Sequence, residues 1–121
     1  MFLMPPFFIA LSQSNPVLGD LAKNAQLILD AAKNAAAKDA KLLVTPELSL
    51  TGYPPEDLVL KQGFVAENQF VLAEIVKSIG ETYAVIGFVE QGQKSGELYN
   101  AAAICQNQKV VGVYRKHLLP N

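Results

Sequence analysis

The sequence predicts an α/β domain built on a mixed sheet, parallel at first and antiparallel later. Two short apolar runs, Phe7 to Leu11 and Leu42 to Val44, flank a segment with helical periodicity. Strand, helix and strand of that length imply a parallel pair joined by a right-handed crossover. From Tyr83 onward three strand-like runs follow, joined by loops so short that the strands must be antiparallel neighbours.

Half of the 121 residues are apolar and 17% are charged, which suits a single domain over residues 1–121 with its own core. The formal net charge is −1 and no block of Lys or Arg stands out, which argues against nucleic-acid and anionic-membrane partners. The one cysteine, Cys105, cannot form an internal disulfide, so a reducing, cytoplasmic setting is expected.

Met1 to Leu11 is apolar, but it has no basic flank and Pro5-Pro6 interrupts it. It reads as a leader followed by a buried first strand, not as a signal peptide, and it is too short to span a membrane. The continuous run Phe7 to Leu11 is expected to be a central strand covered on both faces. Gly19-Asp20 opens the first helix, with Asp20 as its N-cap. Leu21, Ala25, Ile28, Ala32 and Ala35 form its apolar stripe, opposite Lys23, Gln26, Asp30 and Lys33. Lys41 to Thr45 is the second strand. Pro46 has no N–H to give to a ladder and ends it. Gly52 and Pro54-Pro55 make a stiff, irregular turn, and Glu56 and Asp57 suit the first turn of a helix. A second helix is expected from Phe64 to Ile79, with Val65, Leu72, Ile75, Val76 and Ile79 on its apolar side and Gly80 as its stop. Tyr83 to Val89, Leu98 to Gln106 and Lys109 to Tyr114 are the later strands, with a tight turn at Asn107-Gln108. Arg115 to Asn121 leaves the last strand and stops, so the sequence reads as cut rather than finished. An open sheet edge there favours pairing with another chain.

Glu47 is the leading candidate for chemistry. It follows a strand directly, and ligands of open α/β sheets bind outside the carboxyl ends of strands. A carboxylate on a rigid loop there can act as a general base. Lys116, at the end of the last strand, is the second candidate, since a fixed ammonium stabilises a developing oxyanion. The alternative for Lys116 is a solvated lysine in the run Arg115-Lys116-His117. His117, the only histidine, has no nucleophile elbow near it and reads as structural or surface. Cys105 lies in the apolar run Ala101 to Cys105 and reads as a buried, inert thiol. Metal ligands are not clustered. No phosphate-cradling glycine pattern is present, so no cofactor is expected on this chain.

The motifs carry a resemblance. Ile9-Ala10-Leu11-Ser12-Gln13, Asn15 to Asp20 and Asn24 resemble the opening of the nitrilase (carbon–nitrogen hydrolase) superfamily. Pro46-Glu47-Leu48-Ser49-Leu50-Thr51-Gly52-Tyr53 resembles its glutamate motif, and Tyr114 to Asn121 its lysine motif. Gly52-Tyr53-Pro54-Pro55-Glu56-Asp57-Leu58 is the more selective signature. It resembles the glutamine-hydrolysing domain at the N-terminus of the glutamine-dependent NAD synthetase branch.

The resemblance implies part of a four-layer α-β-β-α sandwich and a Glu-Lys-Cys triad. Glu47 would be the general base and Lys116 the oxyanion stabiliser. The cysteine would attack the side-chain amide of glutamine, and the freed ammonia would pass to a separate synthetase domain using ATP and Mg to amidate nicotinic acid adenine dinucleotide. In the family that cysteine follows the lysine motif by several tens of residues, so it is absent from these 121 residues. Cys105 precedes Lys116 and does not match it. The chain as it stands is therefore expected to be inactive. A homo-oligomer is expected, with glutamine as the substrate of a complete domain. The alternatives are another amidase of the superfamily and a non-catalytic assembly or binding module.

Overall fold

The computed structural model describes residues 7–61 and 63–116. The elements are β1 (Ile9–Leu11), α1 (Leu21–Ala37), β2 (Leu42–Val44), a short 3-10 helix (Glu56–Leu60), α2 (Phe64–Val76), β3 (Tyr83–Gln91), β4 (Leu98–Gln106) and β5 (Lys109–Lys116). They form one five-stranded sheet in the order β1-β2-β3-β4-β5. The first two pairings are parallel and the last two antiparallel, as the connections require.

Asp20 caps α1 by accepting from the Lys23 N–H at 3.0 Å. The apolar stripe of α1 packs with Leu72, Ile75, Val76 and Ile79 over one face of the sheet. That face carries Leu43, Ala84, Ile86, Phe88, Ala101, Ala103 and Cys105. α2 ends at Val76, sooner than expected; Ile79 lies beyond it in the following turn and is still buried in the core. The acidic pair at 56–57 starts a 3-10 turn instead of an α-helix. At the β4–β5 turn Asn107 and Gln108 have φ of 51° and 65°, the left-handed pair that a two-residue hairpin needs.

One expectation is corrected. β1 is an edge strand, not a central one, and only its Ala10 packs against the core. Ile9 and Leu11 point the other way and are 52% and 69% exposed. An unbroken apolar run marks a strand as apolar on both faces, but it does not say whether both are covered. The described residues build two layers, one of helices and one of sheet, the part of the four-layer sandwich that was expected. The second sheet and second helix layer of a four-layer sandwich are not formed by them. Residues 1–6, with the expected leader, and His117 lie outside the described residues.

Candidate active site

The site begins where β2 stops. β3 runs on past β2, and the chain after Val44 turns to follow it. Thr45 N donates to Val85 O at 3.0 Å, and Leu50 N donates to Gly87 O at 3.0 Å. From Pro46 to Gly52 the chain coils tightly around these anchors, with Ser49 N bonded to Pro46 O and Gly52 N to Leu48 O. Buried hydroxyls reinforce the coil. Thr45 Oγ1 and Ser49 Oγ share a hydrogen bond of 2.8 Å, and Thr45 Oγ1 also donates to Val85 O at 2.8 Å.

Close packing leaves this loop little freedom. A Cβ at Gly87 would lie 2.5 Å from Leu48 N and 2.8 Å from Pro46 O. Glycine is therefore needed where the loop crosses β3. Leu48 is held at φ +50°, an uncommon conformation for a leucine, by a fully buried side chain packed with Val65 and Val89. Two buried asparagines clamp the surroundings. Asn24 of α1 donates to Val17 O and Leu50 O and accepts from Val17 N. Asn68 of α2 donates to Val65 O and Val89 O and accepts from Val89 N.

The loop presents Glu47 to the face of the sheet opposite the helices. Asn100 Nδ2 on β4 donates to Glu47 Oε1 at 2.6 Å. Lys116 Nζ on β5 lies 3.5 Å from the same oxygen. Val89, Asn100 and Lys116 are register partners across β3, β4 and β5, so their side chains share one face. The structure thus brings together Glu47 and Lys116, 69 residues apart in the chain, with about half of each side chain exposed. A carboxylate and an ammonium so placed, on a rigid loop and a strand, can hold a proton acceptor beside a charge stabiliser.

A β-bulge decides which cation arrives there. The register pairs Cys105 with Val110 but Ile104 with Gly112, so one residue is skipped. Without the skip Asn100 would face Arg115. With it, Arg115 lies opposite Ala101 and pairs with Glu90 through Nε–Oε1 and through Nη2–Oε2 at 2.9 Å. Arg115 and Lys116 are therefore not a basic cluster but two cations on opposite faces.

Cys105 is not part of this arrangement. It lies on the helix-facing side of β4, five residues and about 17 Å from Asn100. Burial pushes its thiol up to about 11, against an ordinary value of 9.0. Asn100 and Gly87 were the residues that motif reading passed over. Their only signals were a polar residue among the alanines of β4 and a glycine inside an apolar strand. Among the described residues no three His, Cys, Asp or Glu side chains gather to hold a metal, and no helix is long and apolar enough to cross a membrane.

Comparison with known proteins gives the family. The sequence profile of the carbon–nitrogen hydrolases matches residues 8–121. The glutamine-dependent NAD(+) synthetase of Acinetobacter baylyi is 40% identical over 118 residues, which cover 98% of this chain and 21% of that protein. The structure of the glutamine-dependent NAD+ synthetase of Acinetobacter baumannii, in complex with ADP, superposes with a TM-score of 0.86 at 36% identity, covering 95% of this chain and 22% of that one. An amidase from Nesterenkonia sp. superposes with a TM-score of 0.75 at 27% identity, covering 95% of this chain and 44% of that one. The chain spans about a fifth of the length of the curated relatives it matches. By profile, sequence and fold together, the chain belongs to the carbon–nitrogen hydrolase family and is homologous to the N-terminal part of glutamine-dependent NAD synthetases.

Proposed function

We propose that this chain supplies the base and the oxyanion stabiliser of a glutamine-hydrolysing site that delivers ammonia for NAD synthesis. The observation that carries the reading is the convergence of Glu47 and Lys116 at 3.5 Å from positions 69 residues apart in the chain. The similarity to NAD synthetases over 98% of its length supports glutamine as the substrate. A thiol nucleophile outside these residues would attack the glutamine side-chain carbon. Glu47 takes the thiol proton and passes it to the leaving nitrogen, so ammonia departs and a thioester remains. Lys116 stabilises the tetrahedral oxyanion on the way in and on the way out. Glu47 then activates the water that releases glutamate. An active-site cysteine is described for the Nesterenkonia amidase, which supports sulfur as the attacking atom.

Glutamine hydrolysis is tested in a chimera in which residues 1–121 replace the matching segment of the Acinetobacter baylyi relative. Ammonia release from glutamine is expected, and Glu47→Ala and Lys116→Ala should each lower it about 10²–10⁴-fold. Release that survives Glu47→Ala would remove the assigned role. Preference for simple amides over glutamine would favour the amidase reading, which the likeness to the Nesterenkonia enzyme keeps in view. The 121 residues alone are expected to release no ammonia, because members of such a triad act as a unit.

A further inference from the structure

We propose that Asn100 is the positioning residue of this site: it holds Oε1 of Glu47 and so assigns Oε2 as the oxygen that takes the proton. The proposal rests on the reading of Glu47 as the base. Six polar side chains are buried among the described residues: Asn24, Thr45, Ser49, Thr51, Asn68 and Asn100. The first five bond to backbone groups or to each other. They hold the loop and the strands. Asn100 differs in that its amide is directed at a titratable side chain on another element. A buried polar group is costly unless it is bonded, and the 5% exposed Asn100 meets that need with its amide on Glu47.

The geometry also separates the two oxygens. Asn100 at 2.6 Å and Lys116 at 3.5 Å both approach Oε1. No hydrogen bond from the described residues reaches Oε2. An ionised carboxylate only accepts, so the Asn100 NH2 edge, and not its carbonyl, must face it. Lys116 cannot do the same work. Its ammonium is a point charge on a long, half-exposed stem, and such contacts attract without fixing orientation. Asn100 therefore keeps the base in place while Lys116 can follow charge as it develops on the substrate. Register places the two side chains directly opposite each other on β4 and β5, so one strand pair supplies both the orienting and the stabilising group.

The first test uses the 121-residue chain itself. In ¹⁵N-labelled protein the Asn100 side-chain amide should resonate away from free carboxamides and exchange slowly with solvent. Glu47→Ala should return it to the free position, whereas Lys116→Met should leave it displaced. A signal indifferent to Glu47→Ala would overturn the proposal. The second test is kinetic and uses the glutamine-hydrolysing chimera. Asn100→Leu keeps the volume and removes the donor. It should lower kcat about a hundredfold with KM for glutamine held within about twofold. A merely structural asparagine would change stability without that split, and an unchanged kcat would overturn the proposal. If Asn100→Leu does not fold, Asn100→Asp preserves the shape and sets oxygen against oxygen, with the same loss expected. Should the intact chimera release no ammonia while the Asn100 signal still answers to Glu47, the functional reading falls and the positioning contact stands.

Discussion

At the scale of single residues, the two members of the family motifs meet, and the cysteine that the chain does contain stands apart. Cys105 is fully buried, and its thiol is pushed up to about 11 by loss of solvent. The native state thus holds that proton more tightly than the unfolded chain does. Its contribution to stability is complete below about pH 9 and is lost as pH rises toward 11. Urea midpoints compared at pH 8 and pH 10.5 should fall more for the parent chain than for Cys105→Ala. Iodoacetamide should label the native thiol only on a timescale set by opening of the core. The same burial explains why the sequence was legible here. An unbroken run of small apolar residues around a cysteine says core, and core it is.

At the scale of elements, the Glu47 loop is a small structure of its own, held by β3 below and by α1 and α2 at its sides. Gly87→Ala should cost about 1–3 kcal/mol, because the added methyl meets loop backbone that has nowhere to go. Asn68→Ala should cost about 1–3 kcal/mol for each backbone group it leaves unpaired inside the core. Both are read from denaturation midpoints. The bulge on β5 makes a sharper prediction. Deleting Val111 should restore a continuous register and place Arg115 opposite Asn100. Circular dichroism should change little, while glutamine hydrolysis by the chimera should be lost with the displaced lysine. Motif reading reached Glu47 and Lys116 because each sits in a recognisable run. Asn100 and Gly87 lie in ordinary strand sequence, and their importance comes from what crosses over them.

At the scale of the whole molecule, the described helices cover one face of the sheet, and the other carries the Glu47 loop but no described helix. Leu11, Val44, Val85 and Ile104 form one row across the open face, and Ile9, Leu42 and Tyr83 another. Tyr114, opposite Ala102 on the same face, is 70% exposed. A contiguous apolar surface of this kind drives association. As an isolated chain the 121 residues should sediment as a dimer or larger species at micromolar concentration. Leu11→Lys combined with Tyr114→Lys should shift it toward monomer. A clean monomer in the parent chain would contradict the expected oligomer.

The order and type of the elements, the parallel-to-antiparallel change and the family motifs around Glu47 and Lys116 were determined by the sequence itself. These depend on local periodicity, on loop length and on residues adjacent in the chain. Tertiary structure alone decided that β1 is an edge, that Arg115 and Lys116 part to opposite faces, and that Asn100 closes on Glu47. Alternation along a strand defines two faces but does not say which one a neighbour covers. A bulge, and a hydrogen bond between residues 53 positions apart, exist only once the strands have found their partners.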